Sequence, residues 1–273
     1  MAFDIEQIPV PFRMQPGLAR LPGDAAILTP LAPDHPLHAE KRQVLQAGQS
    51  RHAVPGFDPS LALEAVRRQA ARQGLPDALA AGIPLELAFE EDFAILDGDS
   101  GTLPWLCVCA PSHWAPEDKL GQGLAAVHAP VADNALLQSA TRQMVALATG
   151  GGRWERWVWG LSPSPLHDQH PRRRPPAQWP STQDPQNFAA TCWLRTERQT
   201  FFPAGGGTRQ AVFTIRVQMQ PLAQAIDTPA KARRLHDSLA SMSDAVLAYK
   251  GLAPVRARLL QWLRSRCGGL PSQ

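Results

Sequence analysis

Short runs of apolar residues, some alternating with polar ones, occur in the middle of the chain. Two of them, at 93–96 and 103–110, flank a turn at 97–101 that is rich in Asp and Gly, and this pattern predicts a β-hairpin. A glycine-rich turn at 203–208 predicts a second hairpin. Further strands are predicted at 153–161, 191–202 and 210–219.

Apolar residues three or four positions apart predict helices before, between and after these strands. One helix begins after Asp58 and ends near Gly74 and Pro76. A helical region from about 116 to 149 is ended by the three glycines at 150–152. Two C-terminal helices are predicted, at about 229–249 and 254–266.

Proline is concentrated in residues 1–58, where it fixes the backbone and removes hydrogen-bond donors. This composition predicts an extended arm that wraps the domain and contains one short helix at 38–47. Residues 59–222 are predicted to form the domain itself, and residues 223–273 a helical extension.

The order of the predicted elements is two strands, a helical region, three strands and a helical tail. One antiparallel sheet with helices on one face satisfies this order economically. PAS domains have the same order and hold ligands between the sheet and the intervening helices. We therefore predict an α+β fold with a PAS-like antiparallel sheet of five strands and helices on one face.

Composition excludes several classes of protein. The chain has 273 residues and a net charge of +3, an excess too small to predict nucleic-acid binding. No apolar run approaches the ~20 residues that span a membrane, and the N-terminus MAFDIEQIPVPF has no signal-peptide pattern. Cys107 and Cys109 lack the C-x-x-C spacing of zinc sites, so buried thiols are expected. These features favour a reduced, cytoplasmic location.

One histidine lies in an unusual setting. His128 is flanked by the apolar segments LAAV and APV. A buried imidazole without a partner costs free energy, so a backbone carbonyl, a substrate or a metal is expected beside it. A lone histidine in such a stretch is more often a satisfied core residue than a ligand.

The strand segment LRTERQT is polar on both faces. Arg195 and Glu197 share one face, and Thr196 and Arg198 share the other. A solvated strand with weak cross-strand ion pairs explains this pattern, and so does a strand that lines a polar pocket. The alternation does not specify which face is inside.

Other polar residues offer weaker candidates for a site. Arg216 is an isolated charge in an apolar strand, where a surface position explains it equally well. The long polar loop at 162–190 contains HDQHP, a weak metal signal because no carboxylates accompany it at ligand spacing. His113, His167 and His170 are candidate second ligands, although loop histidines are usually solvated.

Several segments resemble the DUF3445 family, whose characterised member is the haem-binding α subunit of haem-dependent oxidative N-demethylase (dimethylamine monooxygenase). The segments follow the family's order over roughly residues 11–222: PFRMQPGL, EDFAIL, CAPSHWAPEDKLGQGLAAVHAPV, RWVWGL, LRTERQTFF and AVFTIRVQMQPL. The most specific are the stretch from Trp114 through Lys119 to His128 and the motif R-x-E-R-Q-T.

The resemblance implies a PAS-like fold that holds haem b through a histidine, which matches His128. The implied chemistry uses O2 and supplied electrons to oxidise a small methylated amine, which then loses formaldehyde. Flavin and an iron–sulfur centre are implied only for partner subunits, one of them an electron-donating reductase. This chain agrees with that division, since its sequence has neither a Gly-rich dinucleotide fingerprint nor a four-cysteine cluster.

The resemblance also favours roles for particular residues. Glu197 and Arg198 are expected to be the catalytic pair, with Glu197 accepting from a protonated amine. Arg195 and Arg216 are expected near the haem, where an arginine pairs with a propionate. Lys119 and Trp114 are expected at the cofactor, although Trp114 would equally staple its loop. A backbone carbonyl is expected to accept from the second ring nitrogen of His128.

This chain departs from the family pattern at two places. Val158 stands where family members tend to have Asn, and Phe201–Phe202 stand where they continue with Leu and basic residues. Three functions therefore remain in competition: a haem-dependent oxidase of a small secondary amine, a haem-containing gas or redox sensor without turnover, and a haem-free scaffold of the same fold.

Overall fold

The computed structural model of the protein describes residues 3–75 and 82–268. This part of the chain contains one antiparallel sheet of seven strands, in the order β1-β5-β6-β7-β3-β4-β2. The strands are β1 (Ala19–Arg20), β2 (Arg51–Ala53), β3 (Asp92–Asp97), β4 (Trp105–Cys107), β5 (Trp154–Ser162), β6 (Trp193–Pro203) and β7 (Gln210–Pro221).

The sheet is larger than the five strands that the sequence predicts. All five predicted strands are present as β3 to β7, but two short strands of the proline-rich arm were missed. β1 pairs with the start of β5, and β2 pairs with β4 at the opposite edge. Strands of two or three residues are too short to show alternation, so only the tertiary pairing reveals them.

The helices are α1 (Pro36–Gln46), α2 (Ser60–Arg72), α3 (Leu85–Ala88), α4 (Leu124–His128), α5 (Ala135–Thr149), α6 (Pro185–Ala190), α7 (Leu222–Ala225), α8 (Pro229–Ala240), α9 (Asp244–Tyr249) and α10 (Arg256–Arg266). The predicted helix at 38–47 is confirmed as α1. The predicted helix at 229–249 is divided into α8 and α9, because Ser243 caps a new helix by accepting from the Val246 N–H. Pro76, a predicted helix terminator, lies outside the described residues.

Helices cover both faces of the sheet, so the prediction of helices on one face is wrong. Phe93 and Ile95 of β3 pack against α2, whereas Ala94 and Leu96 pack in the cluster that contains α5. Residues 92–96 of β3 are all buried, whichever face of the sheet their side chains point to. A continuous apolar run such as FAIL is typical of a strand covered on both faces.

The N-terminal arm and the C-terminal helices both pack on the sheet. Ile5 and Ile8 of the arm lie in one hydrophobic cluster with Leu194 of β6 and with Leu235 and Trp262 of the C-terminal helices. All four cysteines are free and buried, as predicted for Cys107 and Cys109. Among the described residues, no helix has both the length and the apolar character to cross a membrane.

A buried carboxylate fixes the edge strand β2. Glu86 of α3 accepts from Ser50 at 2.8 Å and from Arg51 Nε and Nη2 at 2.7 Å each. Burial acts to raise the pKa of Glu86, but the hydrogen bonds, above all that from Arg51, outweigh it and lower the pKa from 4.5 to about 2. The carboxylate therefore stabilises the folded protein only in its charged form.

We expect this site to contribute about 2 kcal/mol of stability above pH ~4.5, after allowance for the half-exposed Arg51. Because the pKa of Glu86 is lowered in the folded state, this contribution is lost as the pH falls from 4.5 towards about 2. Chemical denaturation at several pH values should therefore show a flatter acid limb for Glu86→Gln than for the native protein. Glu64→Gln is the matched control, since Glu64 forms only an exposed pair with Arg68 at 3.6 Å. Equal acid limbs for the native protein and Glu86→Gln would contradict this account.

Candidate functional site

The two faces of β6 have different neighbours. Phe201, on the same face as Glu197, packs in the cluster that contains Met144 of α5. Phe202, on the same face as Arg198, packs in the cluster that contains α2. The Glu197 face is therefore the one covered by α4, α5 and the segment before them.

Arg198 and Arg216 are paired across β6 and β7 on the opposite face. Arg198 Nε donates to Glu155 Oε2 at 2.8 Å, and Arg216 Nε donates to Glu90 Oε2 at 2.7 Å. Both arginines thus form ion pairs with nearby carboxylates. Glu197 and Arg198, the two residues expected to be catalytic, point to opposite sides of β6, as adjacent residues of a strand do.

Glu197 is buried and is held by uncharged donors. Ser112 Oγ donates to Oε1, and Gln199 Nε2 donates to Oε2 at 2.7 Å. Within the described part of the chain the carboxylate has no ion pair. Val158 and Val217 lie directly opposite Glu197 on the two neighbouring strands, so apolar side chains flank it. The departure from the family pattern at Val158 is therefore next to Glu197.

Arg195 approaches Glu197 without touching it. Its Nε donates to Ser112 Oγ at 2.7 Å, and its Nη2 donates to the Ala110 carbonyl at 3.1 Å. Burial lowers the pKa of Arg195, and the charge of Glu197 opposes that effect. A single hydroxyl thus separates a buried cation from a buried anion.

Arg156 of β5 is a site residue that the sequence interpretation missed. It lies opposite Gln199, on the Glu197 face, and its Nε is buried without a hydrogen-bond partner among the described residues. Burial lowers the pKa of Arg156, while the charge of Glu197 raises it. In RWVWGL, Arg156 alternates with Trp157 and Trp159 and therefore points to the other face of the strand. This alternation would have identified Arg156 only if the inward face of the sheet had been known.

His128 is the last residue of α4, and its ring is partly buried. Its Nδ1 is buried and has no partner among the described residues, so the predicted backbone acceptor is not found for this nitrogen. Burial, together with the charges of Arg156 and Lys119, lowers the pKa of His128 to about 4. The imidazole is therefore neutral at pH 7 and has an unused nitrogen.

The backbone around His128 is fixed by an amide side chain. Asn134 Nδ2 donates to the carbonyls of His128 at 3.1 Å and of Ala129 at 3.0 Å. The His128 carbonyl also accepts from the Val131 N–H at 3.1 Å, so main-chain and side-chain donors together fix the end of α4. They hold the main chain and leave the imidazole ring free.

Lys119 and Trp114 lie on the same side of the sheet as His128. Lys119 is close enough for its charge to lower the pKa of His128. Trp114 is half-buried and packs against two hydrophobic clusters, one around Leu106 and one around Val217. Among the sequence candidates, the structure therefore brings Lys119, Trp114, His128, Arg195 and Glu197 to one side.

His167 and His170 are buried, contrary to the expectation for loop histidines, whereas His113 is exposed. His167 Nδ1 lies 3.1 Å from Glu40 Oε1, and His170 Nε2 lies 3.1 Å from Glu117 Oε2. Both rings are buried, because carboxylates from α1 and from the turn at Pro116–Asp118 anchor the loop. His113 is near Arg195, whose charge, together with burial, lowers the pKa of His113. In the described residues, no group of three His, Cys, Asp or Glu side chains could hold a metal ion.

Residues 80–260 match the family model described as haem-dependent oxidative N-demethylase, alpha subunit-like. The matched region covers more than half of the chain. It includes β3 to β7 and the polar and aromatic residues described above on the Glu197 face: Ser112, Trp114, Lys119, His128, Arg156, Arg195, Glu197 and Gln199. The protein therefore belongs to the family of proteins similar to the α subunit of haem-dependent oxidative N-demethylase.

Proposed function

We propose that this protein binds haem b through His128 and demethylates a small methylated secondary amine, with O2 and electrons from a partner reductase. The unpaired ring nitrogen of His128 carries the proposal. A neutral imidazole is a common axial ligand of haem iron. The flavin and the iron–sulfur centre are assigned to partner subunits.

The residues around His128 fit a haem group. The two propionates of haem are anions and need cationic partners. Arg156 and Lys119 both lie close enough to His128 to lower its pKa, and the Nε of Arg156 has no hydrogen-bond partner within residues 3–75 and 82–268. We therefore assign propionate binding to Arg156 and Lys119. Arg195, in contrast, is already bonded to Ser112 and to two carbonyls.

The arrangement of the sheet supports a PAS-like core. Counted along the chain, the five strands β3 to β7 lie in the spatial order three, four, five, one, two. We propose that these strands, β3 to β7, form the PAS-like sheet that the family resemblance implies. The short strands β1 and β2 extend it at its edges.

Haem, when bound, supplies the activation of O2 that oxidation of an N-methyl group requires. The overall reaction takes one amine, one O2, two electrons and two protons, and releases the demethylated amine, formaldehyde and water. Glu197 accepts a hydrogen bond from the protonated amine, and Ser112 and Gln199 hold its carboxylate in place. Val158 and Val217 provide apolar contacts for the methyl groups.

An absorption spectrum tests the cofactor assignment. The protein should be purified after expression with haem available, and its spectrum recorded before and after dithionite. We expect a strong Soret band that shifts on reduction, as for haem held by a protein ligand. If no such band formed even after reconstitution with hemin, the protein would be a haem-free scaffold and the proposed function would be wrong.

A further inference from the structure

The hydroxyl of Ser112 connects the two buried charges of the site. It donates to Glu197 Oε1 and accepts from Arg195 Nε at 2.7 Å. A serine hydroxyl has one proton to donate and lone pairs to accept with. Both functions are therefore used here, one toward each charge.

Arg195 is kept away from a direct ion pair by its other bonds. Its Nη2 donates to the Ala110 carbonyl at 3.1 Å, and its Nη1 donates to the Leu166 carbonyl at 3.3 Å. These contacts fix the guanidinium at the distance of one hydroxyl from Glu197. The carboxylate thus receives electrostatic support from Arg195 but forms no ion pair with any cation in the described part of the chain.

The main chain at Ser112 is held by the loop that follows β5. Ser112 forms a parallel bridge with Gln169, whose N–H donates to the Pro111 carbonyl at 3.1 Å. The two buried histidine–carboxylate contacts of His167 and His170 anchor the same loop. The position of the Ser112 hydroxyl is therefore determined by several independent contacts.

We propose that Ser112 is a positioning residue for Glu197, which it keeps oriented and free of an ion pair. This inference rests on the proposed function, because the cation that Glu197 receives is the protonated amine. A direct contact with Arg195 would compete with that amine for the carboxylate. Ser112 prevents the contact and leaves one side of Glu197 available.

The first test is the affinity of the haem-loaded protein for dimethylamine, measured by calorimetry. Ser112→Ala should weaken binding about tenfold, because Glu197 loses a donor and Arg195 loses its acceptor. Ser112→Thr restores the hydroxyl and should return the affinity to within about twofold. The matched control is Ser60→Ala, since Ser60 donates to Asp58 at 2.6 Å on the exposed surface.

A double-mutant cycle separates positioning from a general structural role. If Ser112 acts through Glu197, Ser112→Ala should cost little further affinity in a Glu197→Gln background. Additive losses, or failure of Ser112→Thr to restore affinity, would overturn the inference. If Glu197→Gln abolished amine binding but Ser112→Ala left it intact, the positioning role of Ser112 would be wrong. The proposed function would still stand.

The same double-mutant cycle can be measured on the midpoint of chemical denaturation, which does not require the amine. If no methylated amine bound to the native protein, the substrate assignment would fail, and the stability cycle alone would judge Ser112. Coupling between Ser112→Ala and Glu197→Gln would support the positioning role. Independent effects on the denaturation midpoint would overturn it.

Discussion

His128→Ala is expected to fold normally and to lose haem. The imidazole has a buried nitrogen, Nδ1, that lacks a partner among the described residues. Removing it takes away the proposed iron ligand. Hemin affinity should therefore fall by more than about a hundredfold, because replacing only a hydrogen-bond partner of a metal ligand already costs about 10- to 100-fold in affinity. Hemin titration followed by the Soret band measures this loss. Turnover should fall with it.

His113→Ala is the control for this experiment. His113 lies near Arg195 on the same side of the sheet, and it was a candidate second ligand. We expect the His113→Ala variant to keep its Soret band and its shift on reduction. If His128→Ala kept the native spectrum while His113→Ala lost it, the ligand assignment would have to move to His113.

Lys41→Met should cause the largest loss of stability. The Lys41 ammonium is fully buried, lies 3.0 Å from Asp92 Oδ1 and donates to the carbonyls of Phe89 and Glu91. Burial acts to lower the pKa of Lys41, but the charge of Asp92 outweighs it and raises the pKa. Breaking a buried pair leaves one charge uncompensated and costs about 3–5 kcal/mol. Such a loss is a large part of a typical folding free energy.

Two further variants define this effect in urea denaturation. Lys231→Met is the matched control, because Lys231 pairs with Asp227 at 2.7 Å on the surface, and such pairs contribute about 0.5 kcal/mol or less. Asp92→Asn in the Lys41→Met background should recover part of the loss, since it removes the unpaired charge. Equal midpoints for Lys41→Met and Lys231→Met would contradict the assignment of Lys41 as a buried anchor of the arm.

The sequence predicted the long elements well, because their hydrophobic patterns extend over many residues. β6 and β7 were placed within two residues of their observed ends. The two edge strands were missed because their pairing is set by tertiary contacts with β4 and β5. The burial of both faces of β3 was also missed, although its unbroken apolar run is typical of a strand covered on both sides.

The site was predicted only in part. His128 and Glu197 came from the family resemblance, whereas alternation alone did not tell which face of β6 is inside, because both faces are polar. Arg198 and Arg216 were expected at the site, but they lie on the other face in ion pairs. Arg156 was missed because only the pairing of β5 with β6, which puts Arg156 opposite Gln199, shows that it lies on the Glu197 face.

The most direct test of the proposed enzyme is amine-dependent release of formaldehyde. The haem-loaded protein should be supplied with O2, an electron-donating flavoprotein and a panel of methylated amines, with formaldehyde and demethylated amine both quantified. We predict equal amounts of the two products, none without O2, and none from His128→Ala. A normal haem spectrum with no formaldehyde from any amine would contradict the enzyme assignment and favour a haem-containing sensor.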